Sequence, residues 1–232
     1  MNENESNPLL NDEMRERFHS IVAKLLYASK RARWDLLTLI AFLTKRVMKP
    51  RRDDWEKLTR GIQYVRDTQT LGVIQDPIQV IAYVDASYGV HKDKKSHTGC
   101  CITLGKGTIS AKSATQKLNT KSSTEAELVA LSDAANQILF IRNFLISQGY
   151  PIGPAIMYQD NLSTIQLIKN GRSNSERTRH VDIRFFFLHD RQESGDVILQ
   201  YTRTEDIIAD ILTKPLQGES FTRLRDLLLN ST

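Results

Sequence analysis

The period of the hydrophobic pattern changes once along this 232-residue chain, near Asp76-Pro77, and that change limits the folds open to it. Before it, apolar residues recur at helical spacing: Ile21, Leu25 and Ala28, then Leu36, Leu39, Ile40, Leu43 and Val47, then Trp55, Leu58, Ile62 and Val65. Pro50 separates the last two runs. Asp53 or Asp54 suits the start of the following helix, where a carboxylate meets the positive end of the helix dipole. Beyond the change, short β-rich runs alternate with helical ones. Strands are predicted over 79–85, 99–104, 108–112, 155–159 and 196–201, with Gly105-Lys-Gly107 turning a hairpin. Helices are predicted from Ser122 to about Gln148, over 161–169 and 178–193, and from a Thr204 cap to a stop at Pro215. The pattern describes an α/β protein: a mixed five-stranded sheet with flanking helices, preceded by a small all-helical segment. The expected division is a disordered tail over 1–12, a helical segment over 13–76 and the α/β domain over 77–232.

Composition narrows the class. An apolar share of 40% and a charged share of 25% are ordinary globular usage and argue against disorder. The two cysteines, Cys100 and Cys101, are adjacent; they make neither a disulfide framework nor a CxxC metal pair, and in a strand they face opposite ways. No stretch reaches the roughly 18 apolar residues of a membrane helix. The first twelve residues are polar and acidic, unlike a secretory or mitochondrial leader, so an intracellular protein without a membrane partner is expected. The formal charge of +5 is compatible with a polyanion partner. Its distribution says more: Lys92, Lys94, Lys95, Lys106, Lys112, Lys117 and Lys121 share their stretch with a single acid, Asp93. A second basic stretch runs from Lys45 to Arg66.

Four acids recur at strand ends or on the inner side of helices. Asp85 ends the first predicted strand and Asp160 the fourth, where α/β sheets place their ligands. On the long helix the apolar stripe runs through Leu131, Ala134, Ile138, Ile141 and Leu145, and four residues before Leu131 stands Glu127. Glu127 therefore points toward the core, whereas Glu125 falls on the wet face as a first-turn acid. A buried carboxylate is costly unless paired or bound to metal. Asp210 stands about 60° from Ile207 on the helical wheel, at the edge of the stripe of Ile207, Ile208, Ile211 and Leu212. Gathered in one pocket, these acids would raise one another's pKa unless a cation neutralised them. Hard oxygen ligands suit Mg²⁺ or Mn²⁺, and two such ions about 4 Å apart form the phosphoryl-transfer clamp of nucleases.

The strings around these acids are Tyr83-Val-Asp85-Ala-Ser87, Lys95-Ser-His-Thr-Gly99, Ser122-Ser-Thr-Glu-Ala-Glu127-Leu, Tyr158-Gln-Asp160-Asn161, Arg177-Thr-Arg-His-Val-Asp-Ile-Arg184 and Ala209-Asp210-Ile-Leu-Thr-Lys-Pro-Leu216. In order and spacing they resemble the ribonuclease H domain of copia-type retrotransposon reverse transcriptases. The helical part resembles the segment that joins polymerase to nuclease there, in Lys24-Leu-Leu-Tyr27, Asp54-Trp55 and Tyr64-Val65. The resemblance implies a ribonuclease H-like fold and an endonuclease that cuts the RNA strand of RNA–DNA hybrids. It implies Asp85, Glu127, Asp160 and Asp210 as catalytic ligands of two Mg²⁺ or Mn²⁺ ions. Lys92, Lys94, Lys95, Lys106, Lys112, Asn161, Arg179 and His180 are expected to contact nucleic acid. The expected partners are a hybrid and the polymerase part of the same polyprotein, in cytoplasmic virus-like particles or the nucleus.

The departures from that family are specific. Asp85-Ala-Ser87-Tyr88 replaces Asp-Ala-Asp-Trp, and Ala111 stands where a tryptophan is common. Cellular ribonucleases H carry a histidine in the loop before the last aspartate; between Tyr201 and Asp210 this chain has none, and His180 and His189 precede that loop. Tyr83-Val84-Asp85-Ala86 lacks the second aspartate that a polymerase box needs. An integrase is disfavoured because its zinc module is absent and its third acid is a glutamate. The alternative to a nuclease is a decayed or domesticated nucleic-acid-binding module of the same fold.

Overall fold

The computed structural model describes residues 7–71, 78–170 and 179–230. The helical part comprises α1 (Asp12–Ser29), a short 3₁₀ turn at Trp34–Leu36, α2 (Leu37–Thr44) and α3 (Arg52–Asp67). Asn11 caps α1 by accepting from the Met14 N–H. Asp54 caps α3 by accepting from the Arg51 N–H at 2.9 Å. Residues 7–11 correct the expectation of a disordered tail over 1–12: Leu10 N–H donates to Pro50 O and Arg52 N–H to Pro8 O, so the chain before α1 pairs with the chain before α3. Residues 1–6 and the expected boundary at 76/77 lie outside the described residues.

The sheet is built from β1 (Val80–Ser87), β2 (His97–Leu104), β3 (Gly107–Thr115), β4 (Ala155–Gln159) and β5 (Val197–Tyr201), in the order β3-β2-β1-β4-β5. The first three strands are antiparallel neighbours, while β4 runs parallel to β1 and β5 parallel to β4. Between and after them come α4 (Ser123–Ser147), α5 (Leu162–Lys169), α6 (Arg179–Glu193), α7 (Asp210–Thr213) and α8 (Gly218–Leu229). This is the mixed five-stranded sheet with flanking helices that the pattern describes.

Two cores sandwich the sheet. On one face Val80, Ala82, Val84, Cys100 and Ile102 pack against the α4 stripe of Leu131, Ala134 and Ile138, with Phe185 and Leu188 of α6. On the other, Cys101 packs with Ile211 and Leu212 of α7, Leu224 and Leu228 of α8, and Trp34 and Leu37 from the helical part. The adjacent cysteines thus divide between the two cores, as strand alternation requires. Thr38 of α2 also donates to Ile211 O, so the helical part and α7 are fastened together.

The segment after β5 differs from the continuous capped helix expected there. Thr204–Asp206 forms a 3₁₀ turn, Ile207 is extended, and α7 begins only at Asp210. The Thr204 hydroxyl, expected to cap a helix, donates instead to Asp160 Oδ2 at 2.8 Å. The C-terminal helix α8 has no counterpart among the helices predicted from periodicity.

Candidate active site

Parallel pairing puts two acids at one end of the sheet. Tyr83 of β1 and Tyr158 of β4 are register partners, so two residues further on Asp85 and Asp160 emerge side by side. The second turn of α4, packed on β1, adds Glu127. Carboxylate oxygens of Asp85, Glu127 and Asp160 all lie within 4.8 Å of one another. They open into a cleft of about 480 Å³ that Ser87, Asn161, Ser163 and Lys214 also line.

The close approach of α7 completes the acidic end. Gly99 of β2 is the register partner of Asp85. A Cβ at Gly99 would stand 2.6 Å from Thr213 Cγ2 and 2.8 Å from Ala209 O, so glycine is what lets α7 rest on the sheet here. Asp210, at the start of α7, is thereby buried beside Asp85. Thr213 donates from Oγ1 to Asp85 Oδ2. Lys214 reaches Asp210 Oδ1 at 2.7 Å and Asp85 Oδ2 at 4.0 Å.

Electrostatics report an unbalanced negative site. Burial, and then the Asp85 charge, push Glu127 up to about 9. The same two causes push Asp210 up to about 6. Burial raises Asp85, against the opposing pull of Lys214 and Thr213. Burial pulls Lys214 down, but Asp85 and Asp210 outweigh it and the net shift is upward. Clustered hard oxygens with raised pKa values are the donor set that suits Mg²⁺ or Mn²⁺, and the residues present fit such an ion.

Other candidates fall elsewhere. Glu125 caps α4, accepting the Lys121 N–H at 2.7 Å while its own N–H donates to Ser122 Oγ, and is outside the acidic group. Asn161 lines the cleft and caps α5 through the Thr164 N–H. Lys92, Lys94 and Lys95 lie in the β1–β2 connection, at the acidic end of the sheet. Lys106 sits in the β2–β3 turn at the opposite end, and Lys112 on β3 makes a 3.8 Å ion pair with Asp133 of α4. Arg179 and His180 open α6, but their side chains lie outside the described residues. His189 pairs with Ile168 O at 2.9 Å and stacks on Phe185, away from the acids.

Sequence reasoning misses Gln159, Thr213 and Lys214. For Gln159 a signal exists: it is the inward-facing residue of β4 that immediately precedes Asp160.

No protein-family model matches the chain. The Retrovirus-related Pol polyprotein from transposon RE2 of Arabidopsis thaliana is 30% identical over 88% of this chain. The Transposon Ty1-JR1 Gag-Pol polyprotein of Saccharomyces cerevisiae is 29% identical over 90% of it. The homologues are Pol polyproteins of Ty1/copia-type transposons. The chain spans 14% and 12% of the length of those two polyproteins. Among solved structures, the foamy viral protease-reverse transcriptase in complex with RNA/DNA hybrid matches 90% of this chain and 29% of its own, at a TM-score of 0.51 and 13% identity. LC11-RNase H1 matches 58% of this chain and 91% of its own, at a TM-score of 0.45 and 18% identity. Over 90% of its length the chain shares the fold of that foamy viral reverse transcriptase, with its acidic cleft at the ends of β1 and β4.

Proposed function

We propose that this chain is the ribonuclease H part of a retrotransposon Pol polyprotein: a metal-dependent endoribonuclease that cuts the RNA strand of RNA–DNA hybrids and lacks a polymerase site. The observation that carries this reading is the approach of Asp85, Glu127 and Asp160 within 4.8 Å in an open cleft, with Asp210 beside them. The similar foamy viral protein was solved with an RNA/DNA hybrid, which supports the substrate class.

Divalent cations held by the four acids would activate water and stabilise the leaving 3′-oxygen of an in-line displacement. The protein's own part is positioning. Thr213 and Gln159 aim Asp85 and Glu127 through neutral donors, which orient the carboxylates without competing for their charge. Lys92, Lys94 and Lys95, at the same end of the sheet, supply positive charge for the phosphate backbone. We place the protein inside the cell, in virus-like particles or the nucleus, where hybrids of this kind arise.

The test is the initial cleavage rate on end-labelled hybrid, duplex DNA, duplex RNA and single strands, with Mg²⁺ titrated and then chelated. The expected result is slow, Mg²⁺-dependent cutting of the hybrid's RNA strand alone, leaving 5′-phosphate and 3′-hydroxyl ends. Hybrid binding without cleavage at any metal concentration supports the decayed-module alternative. Comparable cutting of duplex DNA sinks both.

A further inference from the structure

The nuclease reading leaves one charged side chain of the cleft without a role. Lys214 follows α7, one helical turn beyond Asp210, and is the single cation among the described residues that line the cleft. Its ammonium group lies 2.7 Å from Asp210 Oδ1 and 4.0 Å from Asp85 Oδ2. The three acids that approach within 4.8 Å do not include Asp210, whose carboxylate is instead taken up by the lysine.

Resting on that reading, we propose that Lys214 is an internal counter-ion, holding Asp210 and Asp85 in the metal-free protein and leaving Asp210 when a divalent cation binds there. A hard cation coordinates carboxylate oxygen at about 2.0–2.1 Å for Mg²⁺. An ammonium group 2.7 Å from the same oxygen would then face it as a like charge within about 5 Å, a repulsion that disfavours the two sharing Asp210 Oδ1. Lys214 can move because its side chain is 38% exposed and rides on a flexible four-carbon stem. Asp85 and Asp210 are 4% and 11% exposed, so they are the fixed partners of this exchange. Once released, the ammonium group remains at the cleft mouth, where a phosphodiester is its complementary charge. Lys214 thereby brings a cation to the side of the site where this chain has no histidine between Tyr201 and Asp210. It is a positioning residue by this argument, since it acts through Asp210.

The experiment uses the full chain and reads Lys214 directly. An amine-reactive ester labels the protein with and without Mn²⁺, and mass spectrometry measures the modification of Lys214 against that of the exposed Lys24. Release from two carboxylates frees the amine, so Mn²⁺ should raise Lys214 labelling about threefold or more while Lys24 stays constant. In parallel, Mn²⁺ should bind Lys214→Met about tenfold more tightly than the wild type, and Lys214→Arg no more tightly. If Lys214→Met fails to fold, the wild-type labelling decides alone. Labelling that is unchanged or reduced by Mn²⁺ overturns the proposal. Raised labelling with an uncut hybrid keeps the counter-ion and removes the nuclease reading; a cut hybrid with unchanged labelling does the reverse.

Discussion

Gln159 Nε2 donates to Glu127 Oε2 at 3.0 Å, while its Oε1 accepts the backbone N–H groups of Asp160 at 2.8 Å and Asn161 at 3.1 Å. One fully buried amide therefore ties the α4 carboxylate to the strand end that carries Asp160. Gln159→Leu should remove all three hydrogen bonds and leave two backbone donors without partners. The expected cost is about 2 kcal/mol or more in urea unfolding, with Mn²⁺ affinity falling about 10–100-fold in a calorimetric titration. A stability change under about 0.5 kcal/mol with unaltered Mn²⁺ binding would show the amide to be incidental.

Glu125 and Glu127 differ by two residues and by the whole chemistry of the site. Asp85→Asn or Glu127→Gln should lower hybrid cleavage more than about 100-fold, beyond what loss of a supporting hydrogen bond costs. Glu125→Gln should retain most of the activity, because its amide oxygen still accepts the Lys121 N–H and only a first-turn negative charge is lost, about 0.3–1 kcal/mol. Equal loss of cleavage in Glu125→Gln and Glu127→Gln, with both folded by circular dichroism, contradicts the assignment.

How legible each part of the site is in the sequence depends on a physical division. Glu127 is legible because a 25-residue helix makes its apolar stripe long enough to fix which way each residue faces. The β1 and β4 acids are legible because each follows a short apolar β-rich run, although β1 itself continues past Asp85 to Ser87. Asp210 is placed only at the edge of a stripe, since the expected helix from Thr204 is broken at Ile207 and the facing of a four-residue helix is set by its packing on Gly99. Lysine positions are the least legible. Lys95 and Lys106 belong to one basic run yet sit at opposite ends of the sheet, which charge along the sequence does not reveal.

Gly99→Ala tests the packing that brings Asp210 to Asp85. The new methyl would meet Thr213 Cγ2 at 2.6 Å and Ala209 O at 2.8 Å, and the latter is backbone that cannot rotate aside. Displacing α7 should cost about 1–3 kcal/mol in chemical unfolding, as overpacking does. Cleavage should fall by more than stability predicts, because Thr213, Lys214 and Asp210 all move together. Wild-type activity in Gly99→Ala would mean that α7 tolerates a shift without disturbing the acids.

The two ends of β2 should contribute differently to hybrid affinity. Replacing Lys92, Lys94 and Lys95 by glutamine should flatten the salt dependence of hybrid binding by roughly 0.7–0.9 in slope for each phosphate no longer neutralised. Lys106→Gln, at the far end from Asp85, should leave the slope unchanged. Fluorescence anisotropy across a salt series measures both. A flatter slope for Lys106→Gln alone would place the hybrid on the wrong end of the sheet.

His97 links the helical part to the β2–β3 hairpin and makes stability depend on pH. The Ser113 hydroxyl donates to Leu212 O at 2.6 Å, so its oxygen accepts from His97 Nε2–H at 2.9 Å. That leaves His97 Nδ1 to accept from His91 Nε2, 3.0 Å away, and the His97 ring stacks on Phe42 of α2. A proton on Nδ1 would face the His91 N–H. Burial, then His91 and Lys45, accordingly push the His97 pKa down to about 3. In the unfolded chain it titrates near 6.5. The folded state therefore refuses a proton that the unfolded state accepts: its advantage is complete above about 6.5 and is lost as pH falls toward 3, at about 1.4 kcal/mol per pH unit. Glu127 and Asp210, both raised, favour the folded state in the opposite direction as pH falls, so the wild-type curve alone mixes the two. The comparison with His97→Gln isolates the histidine, because the carboxylates are common to both proteins. Between pH 7.5 and 5.0 the wild type should lose about 2 kcal/mol more than His97→Gln in urea unfolding. Parallel losses in the two proteins would show that His97 takes up its proton in the folded state, and that the contact between α2 and the hairpin does not depend on its neutral form.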